Sequence, residues 1–547
     1  MWITRLPTGI VPEKSALSSS LKPHSLMLLM ASSLDSASLA VYGLGLFLAW
    51  QLYDVYRGDR ENPRRLPLPP GPRGYPIIDN LFDFPFEKPW LVYNEWFKTY
   101  GDMVYFRVFG RDFLVLGSSV RTYDLLEKRS TIYSDRPRVA MVNDIIGFDW
   151  AFTVLPYGNA WRIHRRTFTE FFHPNVIPTY HPVLTSSSRG LLCDLLQSPE
   201  NFREHIRFSF GNTIMRVCYG IAPQRQNDPF LSLATETMRS VAIAGNPGSF
   251  LVDLLPVMKY IPAWFPGAGW KRQGLAWARV VDQFVNNPWD YVKNQTAEGT
   301  ASPCIATNLM ERLPDVGAID RPDAEQVARN VCAVTYAGAI DTSVSAVQTF
   351  FMAMCLYPEV QSRAHTELDS VLAGRFPEHA DRSNLPFINA IIKETMRWQM
   401  PTPVGSPHVL SKADEYDGFY IPKGTIVLGN AWTILHDPNV YPEPMRYNPD
   451  RFMKNGQLNS EVQDPLAVFG YGRRVCPGSY FSDASMFIMI AHILSVYKIQ
   501  PSLDEKGNEV KIIPDMTSGI LSYPVEFQCR IIPRSKEAES LIRSLAD

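Results

Sequence analysis

The sequence predicts a mainly α-helical protein with a minor β part, folded as one large body. Apolar residues recur with helical periodicity in five segments, at 120–128, 161–172, 324–356, 358–372 and 386–398. Strand-like stretches are short and few, and they occur at 105–117, 419–428 and 509–532. Beyond about residue 77 there is neither a second low-complexity linker nor an internal repeat, so the 547 residues are not expected to divide into several domains.

The composition excludes several classes of protein. Hydrophobic residues make up 46% of the chain and aromatic residues 12%, which rules out a disordered protein. The 53 basic and 55 acidic residues give a net charge of −2, and this balance argues against a nucleic-acid partner. The seven cysteines are widely spaced and include no CxxC pair, so we expect neither a disulfide framework nor a zinc site of paired cysteines.

An uncharged apolar run lies at 37–53, after an N-terminal extension at 1–36. Its length is at the short end of what spans a bilayer. Trp50 and Tyr53 suit an interfacial aromatic belt, and the arginines that follow place the remaining chain in the cytosol by the positive-inside rule. We therefore expect a single transmembrane anchor. A cleaved signal peptide and a buried amphipathic helix are the alternatives.

A basic and proline-rich linker follows the expected anchor, at 54–76. It ends in LPLPPGPRGYP, whose prolines prevent a helix from continuing and make the segment a stiff spacer. The rest of the chain, 77–547, forms the expected catalytic domain. At its start, the alternating sequence YFRVFGRDFLVLG at 105–117 is typical of a β-hairpin.

The strongest functional signal is FGYGRRVCPG at 469–478, which has the frame FxxGxRxCxG. If Cys476 binds a haem iron, Gly472 and Gly478 allow the backbone to approach a flat macrocycle closely. Arg474 offers a planar fork that fits a propionate carboxylate, and Phe469 would exclude water from the sulfur. A glycine-rich turn that contains a buried cysteine is the alternative interpretation.

With this loop the chain resembles the membrane-bound cytochromes P-450, which are haem-thiolate monooxygenases. The resemblance implies the cytochrome P-450 fold in a single large catalytic domain. It implies haem b (iron protoporphyrin IX) as the cofactor and Cys476 as its axial thiolate ligand. It also implies that Phe469, Arg474 and Gly478 contribute to haem binding.

Two further motifs occur in the family's order. KETMR contains the ExxR pair Glu394 and Arg397, which share one helix face, and NPDRF contains Arg451. The resemblance implies that these three residues form a structural triad that supports the haem pocket. A solvated pair is the alternative for Glu394 and Arg397. Asp450 stands where the family often has glutamate, which is a mild departure.

WRIHR at 161–165 matches the family's WxxxR motif, in which Trp161 and Arg165 lie one helical turn apart. The resemblance implies that both face a haem propionate, and that His408 in PTPVGSPH reaches a propionate too. An amphipathic basic helix is the alternative for the WxxxR motif. A capped turn is the alternative for His408.

The helix at 335–350 resembles the family's oxygen-activation helix, since its residues 338–343 align with the pattern [AG]-G-x-[DE]-T-[TS]. The resemblance implies that Asp341 and Thr342 deliver the protons for cleavage of dioxygen. Ala339 departs from the usual glycine, and its methyl group could narrow the oxygen groove unless Gly338 relieves the crowding. A hydroxyl bonded to its own helix backbone is the alternative role for Thr342.

The implied reaction reduces dioxygen and inserts one oxygen atom into a substrate by hydroxylation or epoxidation. The sequence shows no GxGxxG or flavin-binding stretch, so NADPH is expected to act indirectly through a separate NADPH–cytochrome P-450 reductase. Cytochrome b5 is a second candidate donor. Arg162, Arg166 and Arg473 are candidates for the docking face. The implied location is the endoplasmic reticulum membrane, single-pass, with a cytosolic catalytic domain.

The resemblance places substrate contacts at 139–155, 242–256, 336–340, 402–406 and 517–521, which are mostly apolar and suit a lipophilic small molecule. Asp144, Asp149 and Asp253 could bind a cationic amine, although solvated loop carboxylates are the simpler interpretation.

TIYSDRPR and KYIPAWFPG are similar to a mushroom-type fungal branch that includes O-methylsterigmatocystin oxidoreductase-like and tryptamine-hydroxylating members. This similarity favours secondary metabolism, and a terpenoid substrate in particular. An indole, aromatic or polyketide substrate is the alternative, as is a non-oxygenating haem-thiolate isomerase or dehydratase.

Overall fold

The computed structural model describes residues 62–545 except 77, 247, 316–317 and 319–320. The chain divides into two compact units, Met1–Leu66 and Pro67–Asp547. In the first unit, the Asn62 side chain accepts a hydrogen bond from the Leu66 amide and donates one to the Leu66 carbonyl. The expected extension at 1–36, the anchor at 37–53 and the start of the linker lie outside the described residues. The following paragraphs concern the second unit.

Helices form most of the described structure, as the sequence predicts. The α-helices are α1 Pro89–Tyr100, α2 Ser119–Thr122, α3 Ser130–Tyr133, α4 Asn159–Phe172, α5 His181–Gln197, α6 Phe202–Tyr219, α7 Pro229–Gly245, α8 Leu251–Leu254, α9 Gly269–Ala297, α10 Ile305–Glu311, α11 Arg321–Leu356, α12 Pro358–Leu372, α13 Pro386–Trp398, α14 Ala431–Leu435, α15 Ser479–Val496 and α16 Lys536–Arg543. The predicted helix at 120–128 divides into the short α2 and a π-helical turn, Tyr123–Lys128.

Shorter helical turns connect these elements. A second π-helical turn spans Ala140–Ile145. Turns of 3₁₀ helix span Ile177–Tyr180, Pro199–Asn201, Pro256–Tyr260, His379–Asn384, Pro449–Phe452, Leu466–Phe469 and Gly472–Arg474. The last two of these belong to the predicted cysteine loop, which is therefore ordered by local hydrogen bonds.

The strands are few and short. They are β1 Met103–Val108, β2 Arg111–Leu116, β3 His408–Val409, β4 Asp414–Tyr416, β5 Phe419–Ile421, β6 Ile426–Gly429, β7 Met453–Lys454, β8 Gln457–Leu458, β9 Tyr497–Pro501 and β10 Cys529–Pro533. The predicted hairpin is confirmed, since β1 and β2 pair antiparallel around Phe109 and Gly110. Both turn residues have positive φ, 47° and 74°, as a two-residue turn that matches the twist of the strands requires.

The short strand-like pieces predicted within 509–532 are confirmed only in part. Only β10 at its end forms a strand, and it pairs antiparallel with β9. Before β10 the segment makes isolated bridges, such as the one between Met516 and Pro524. Pro514 and Pro524 lack the amide hydrogen that a continuous ladder needs, so the apolar alternation of this stretch does not produce a sheet.

A four-stranded sheet has the order β1-β2-β6-β3, with β2 and β6 parallel and the other pairs antiparallel. Its last strand, β3, also receives a bridge on its free side, where the Val409 amide donates to the Asp135 carbonyl at 2.9 Å. This bridge fixes the chain around Asp135 beside His408. Two distant parts of the sequence therefore meet at one wall of the main cavity.

The core is built around α11, which packs against α4, α6, α9, α10, α13 and α15. Among the described residues, two helices are apolar and long enough to cross a membrane by composition and length alone, Asp323–Leu356 and Ser479–Val496. Most of each apolar window, 83% and 72%, is buried inside the fold. These helices therefore owe their apolar character to the core.

Candidate active site

The main cavity lies between α11 and the loop that precedes α15, and its volume is about 330 Å³. Gly338, Ala339 and Thr342 line it from α11, and Phe469 and Cys476 line it from the loop. Apolar side chains from α4, α6 and α13 complete its walls. The two strongest sequence motifs, which are more than a hundred residues apart, thus face one another across a single space.

The cysteine loop is held in shape by its own backbone and by a glycine. The Cys476 amide donates to the Phe469 carbonyl at 2.8 Å, which closes the loop and places Cys476 on the cavity wall. Gly472 has a φ of 56°, and a Cβ atom at this position would lie 1.9 Å from the carbonyl oxygen of Leu126. Only glycine satisfies both requirements, so Gly472 lets the loop press against the turn Tyr123–Lys128.

The surroundings of Cys476 oppose its ionisation unless a cation binds the sulfur. Burial raises the pKa of the Cys476 thiol, and the backbone hydrogen bond from Gly478 and the charge of Arg165 only partly offset this effect. A metal ion bound to a thiol removes its proton outright. The site therefore combines a protonated free thiol with groups that favour a thiolate once a metal ion is present.

A second cluster, which we call the cation cluster, comprises Arg136, His408 and Arg474 at the cavity wall. Arg474 donates from all three guanidinium nitrogens to the carbonyls of Ser134, Phe152 and Leu155. Three of its five N–H groups are thereby used, and two remain. Arg136 was not predicted, because it belongs to no recognisable spacing motif.

The charged forms of Arg136 and Arg474 are both disfavoured by their surroundings. Burial and, secondarily, the charge of Arg474 lower the pKa of Arg136 to about 9. Burial is the main cause that lowers the pKa of Arg474 to about 10, although Asp135 counteracts it. Burial disfavours the charged form of both guanidinium groups. A carboxylate bound beside them would stabilise that charged form, so the pair is a strong site for anionic carboxylates.

His408 is buried in the same cluster, and its Nδ1 lies 2.7 Å from the Tyr133 carbonyl. Burial first, then the charge of Arg136, lower the pKa of His408 to about 3, so the ring is neutral at neutral pH. Because a carbonyl oxygen only accepts, Nδ1 carries the proton. The bridge between Val409 and Asp135 explains how this histidine comes to lie beside Arg136.

The two residues of the WxxxR motif contact different partners. Trp161 is buried, and the Arg474 guanidinium lies 4.6 Å from its ring centroid, within the range of a cation–π contact. Arg165 lies outside the lining of the main cavity and donates to the Val475 carbonyl at 2.8 Å. Of the remaining predicted haem contacts, Phe469 and Gly478 both line the cavity.

The predicted acid–alcohol pair is split across α11. Thr342 lines the cavity, and its hydroxyl donates to the Gly338 carbonyl at 3.0 Å, the back-bonded arrangement that the sequence left open. Asp341 is buried on another face, and its Oδ1 accepts hydrogen bonds from Arg207 and Tyr523. A Cβ atom added to Gly338 would meet nothing within 4 Å, so this position leaves open space beside Thr342.

The predicted structural triad is present, with Glu394 and Arg397 fully buried and Arg451 at the edge of the buried region. Arg397 donates to both oxygens of Glu394 at 2.7 and 2.9 Å, and Arg451 donates to the same carboxylate at 3.1 and 3.2 Å. Arg397 also bonds to the carbonyls of Leu435 and Pro444. The triad thus ties α13 to the long irregular segment that leads to the cysteine loop.

Three of the five predicted substrate segments line the cavity. Phe152 and Thr153 come from the first, Gly338 and Ala339 from the third, and 402–406 supplies three residues. The described residues of 242–256 and 517–521 do not line it. They contact each other instead, since the Ile520 amide donates to Asn246 Oδ1 at 2.8 Å.

No carboxylate among the described residues lines the cavity. Asp144 forms ion pairs with Arg138 and Lys259. Asp253 accepts a hydrogen bond from the Met141 amide at 2.7 Å, and burial raises the pKa of its carboxyl to about 6. Asp149 is exposed. The three predicted acidic candidates are therefore engaged or solvated outside the cavity.

Comparison with known proteins decides the family. The family model for cytochrome P-450 matches residues 69–529, which is most of the chain. The chain belongs to the cytochrome P-450 family. It is a P-450 monooxygenase, an oxidoreductase, and P-450 enzymes use haem b with a cysteine thiolate ligand and electrons from NAD(P)H through a partner.

Curated fungal P-450 enzymes are similar over nearly the whole chain. Cytochrome P-450 monooxygenase COX2 of Coprinopsis cinerea is 43% identical over 88% of this chain and 91% of its own. Cytochrome P-450 monooxygenase 208 of Postia placenta is 39% identical over 92% and 97%. Tryptamine 4-monooxygenase of Psilocybe cyanescens is 36% identical over 88% and 96%. The P-450 assignment therefore covers the catalytic domain as a whole.

Proposed function

We propose that this P-450 inserts one oxygen atom from dioxygen into an uncharged lipophilic molecule in fungal secondary metabolism. The observation that carries the proposal is a single cavity that joins Cys476 to Thr342 and has apolar walls without a carboxylate. Phe152, Phe168 and Phe172 contribute aromatic surface to these walls. Such a lining favours a ligand that buries apolar surface, and it offers no negative charge to pair with an ammonium group.

The residues of the cavity fit haem b. Cys476 would supply the thiolate, with the Gly478 backbone and Arg165 stabilising its charge. Phe469 and Gly478 would contact the ring from the cysteine side. Bound haem supplies the reduction and activation of dioxygen, and the protein supplies orientation, exclusion of water and protons.

The cation cluster would bind the two propionates. Arg136 and Arg474 provide charge, and each retains donors that its carbonyl partners leave unused. The Trp161 ring makes a cation–π contact with Arg474, and its indole N–H is a further donor. His408 would donate through Nε2 only in its charged form, which burial and then Arg136 disfavour and a nearby carboxylate would favour. The negative charges of the propionates would offset the free-energy cost of burying two guanidinium groups. This explains why two arginines lie in an otherwise apolar wall.

Proton delivery would use Thr342 as the donor within the cavity and Asp341 as the carrier from the α6 side. Thr342 reaches the cavity directly, whereas Asp341 is buried against Arg207, whose side chain is 38% exposed. The Asp341 carboxylate would take up a proton on the α6 side and pass it to the Thr342 hydroxyl, which would release its own proton into the cavity. The intact acid and alcohol favour oxygenation over an isomerase or dehydratase reaction.

A terpenoid is the favoured substrate class within this proposal. The related tryptamine 4-monooxygenase acts, by its name, on an amine, so an indole substrate is the second candidate. The carboxylate-free cavity favours the first candidate, because a protonated amine would be buried without a partner. Binding titrations with a sesquiterpene hydrocarbon and with tryptamine, followed by the Soret shift, would separate the two.

The reduced, CO-bound absorption spectrum tests the central assignment. We expect the wild-type protein to give the Soret band of a haem-thiolate complex, and Cys476→Ala to lose it. Cys529→Ala, which removes a buried cysteine of the β9–β10 sheet, is the matched control and should keep the band. A thiolate band that survives in Cys476→Ala would refute the proposal.

We further propose that the protein is held at the endoplasmic reticulum membrane, with the run at 37–53 as a single anchor and the catalytic domain in the cytosol. The surface at 251–265 supports this proposal, since Tyr260 and Trp264 are 76% and 79% exposed. Phe82 is also exposed, and its neighbour Phe86 contacts Gly248. Aromatic side chains favour the bilayer interface. Deletion of 1–61 should weaken vesicle binding, and Trp264→Ala should weaken it further.

Reductase docking is proposed for the basic surface of α4. Arg162 and Arg166 are exposed there, next to Arg165 and the cysteine loop. Arg473, the third candidate, is engaged with Tyr157, Ser130 and Thr131. Charge-reversal at Arg162 and Arg166 should slow reduction of the haem by NADPH–cytochrome P-450 reductase, more at low than at high salt.

A further inference from the structure

The segment Thr517–Tyr523 forms a closed turn that is bonded to α11. The Thr517 amide donates to the Tyr523 carbonyl at 2.7 Å, and the Tyr523 amide donates back to the Thr517 hydroxyl at 3.0 Å. From α11, the Ser345 hydroxyl donates to the Ser522 carbonyl at 2.6 Å. The turn is therefore fixed relative to the helix that carries Asp341 and Thr342.

The same turn reaches the segments around the cavity. The Ser522 amide donates to the carbonyl of Pro401, a residue of the cavity wall. The Ile520 amide donates to Asn246, the residue that follows α7. A displacement of either segment would thus be transmitted to the turn through a hydrogen bond that a backbone amide of the turn donates.

At its end, the turn contacts the acid of the acid–alcohol pair. The Tyr523 hydroxyl donates to Asp341 Oδ1 at 2.6 Å, and Arg207 of α6 donates to the same oxygen at 2.5 Å. Within the described part of the chain, Oδ2 has no hydrogen-bond partner. Two donors on one oxygen fix the carboxylate on the α6 side of α11, away from the cavity that Thr342 lines.

Both donors remain protonated next to this carboxylate. Burial first, and then the Asp341 charge, raise the pKa of Tyr523. Burial lowers the pKa of Arg207, but the attraction of Asp341 and Tyr523 outweighs it and the net effect is a raised pKa. Asp341 therefore accepts two hydrogen bonds, and the one from the Arg207 guanidinium is charge-assisted.

We propose that Tyr523 is a positioning residue for proton delivery, which holds Asp341 in its outward orientation and links it to the turn Thr517–Tyr523. The proposal rests on the proposed function, in which Asp341 carries protons. When a molecule in the cavity shifts the Pro401 segment, the turn moves with it. The Tyr523 hydroxyl is displaced, and its hydrogen bond to Asp341 Oδ1 is weakened or strengthened. Occupancy of the cavity and proton supply are coupled by this contact.

The first test measures how NADPH oxidation depends on pH, with the haem-loaded full-length protein, its reductase and no added substrate. Tyr523→Phe removes one of the two hydrogen bonds to Asp341 Oδ1 and leaves the ring in place. Asp341 is then held less firmly, and we expect the pH profile of NADPH oxidation to differ from that of the wild type. Asp341→Asn should alter the profile more strongly.

A matched control separates positioning from a general loss of packing. Tyr497→Phe removes a buried tyrosine hydroxyl, which donates to the Leu192 carbonyl at 2.6 Å, and should leave the profile unchanged. An equal change in Tyr497→Phe would overturn the proposal. So would an unchanged profile in Tyr523→Phe when Asp341→Asn alters it. A profile that Asp341→Asn does not alter would refute the proposed function itself.

The second test does not use activity. Thermal unfolding of the haem-loaded wild type, Tyr523→Phe, Asp341→Asn and the double variant forms a double-mutant cycle. If the two side chains interact as described, the double variant should unfold at a higher temperature than the sum of the single effects predicts. Additive effects would show that the contact between Tyr523 and Asp341 carries no coupling, and the proposal would fail.

Discussion

At the scale of single residues, the site depends on a few positions whose neighbours do not allow another residue type. Gly472 shows this most directly, since both its φ of 56° and its approach to the Leu126 carbonyl require the absence of a side chain. Arg136 shows the converse, because its importance comes from spatial neighbours that are far away in sequence. Sequence motifs identify the first kind of residue and miss the second.

Gly472→Ala should destabilise the cysteine loop. The new methyl group would collide with the Leu126 carbonyl, in addition to the strain of a positive φ, so we expect a loss of at least about 2 kcal/mol in unfolding free energy. The fraction of protein that retains haem should fall with it. Gly507→Ala is the control, because Gly507 has a φ of 82° but no neighbour within 4 Å. Equal losses in both variants would contradict the steric argument.

Thr342→Ala should divert electrons from productive chemistry. The Thr342 hydroxyl lines the cavity, and its removal takes away the proposed local proton donor. Without added substrate, the fraction of NADPH electrons recovered as hydrogen peroxide should rise, and the rate of proton-dependent steps should fall on the order of 100-fold. Ser343→Ala removes the adjacent cavity hydroxyl and should change the fraction little. Identical peroxide yields in wild type and Thr342→Ala would argue against the proton-delivery role.

At the scale of elements, α11 and α13 have different roles in the site. α11 carries the acid–alcohol pair on two of its faces, so one continuous helix connects the cavity to the α6 side. α13 carries Glu394 and Arg397, which connect it to the segment before the cysteine loop. The triad places one carboxylate between two guanidinium groups, which makes the connection sensitive to the loss of Glu394.

Glu394→Gln should leave Arg397 charged in a fully buried position without its carboxylate. Removal of one partner of a buried pair typically costs about 3–5 kcal/mol, so we expect a loss of this size in unfolding free energy and a poor haem content. Arg363→Gln breaks the exposed pair with Asp450 and should cost less than about 1 kcal/mol. Chemical denaturation of both variants measures the difference. A loss in Glu394→Gln as small as that in Arg363→Gln would contradict the role of the triad.

At the scale of the whole molecule, the large helical core buries several histidines in neutral form. Burial is the main cause that lowers the pKa of His436 and of His492 to about 3 each. Their pKa values return to about 6.5 in the unfolded chain. Below pH 6.5 the unfolded state therefore binds more protons than the folded state, and stability falls as the pH falls.

Each of these two histidines should cost about 1.4 kcal/mol of stability per pH unit between pH 6.5 and about 3. Urea unfolding of the haem-loaded protein at a series of pH values measures the slope. His492→Gln should reduce that slope by the contribution of one proton, whatever its effect at neutral pH. His173→Gln changes an exposed histidine and is the control. An unaltered slope in His492→Gln would contradict the assignment.

The sequence by itself determined the mainly helical fold, the hairpin, the cysteine loop and the pairing of Glu394 with Arg397 on one helix face. These features have local periodicity or fixed spacing, because each depends on backbone geometry within one turn or one helix face. Only the tertiary structure decided that Arg136 lies beside His408, that Trp161 and Arg165 have different partners, and that Tyr523 binds Asp341. These contacts join residues from distant segments, and their energies depend on burial, which no local pattern encodes.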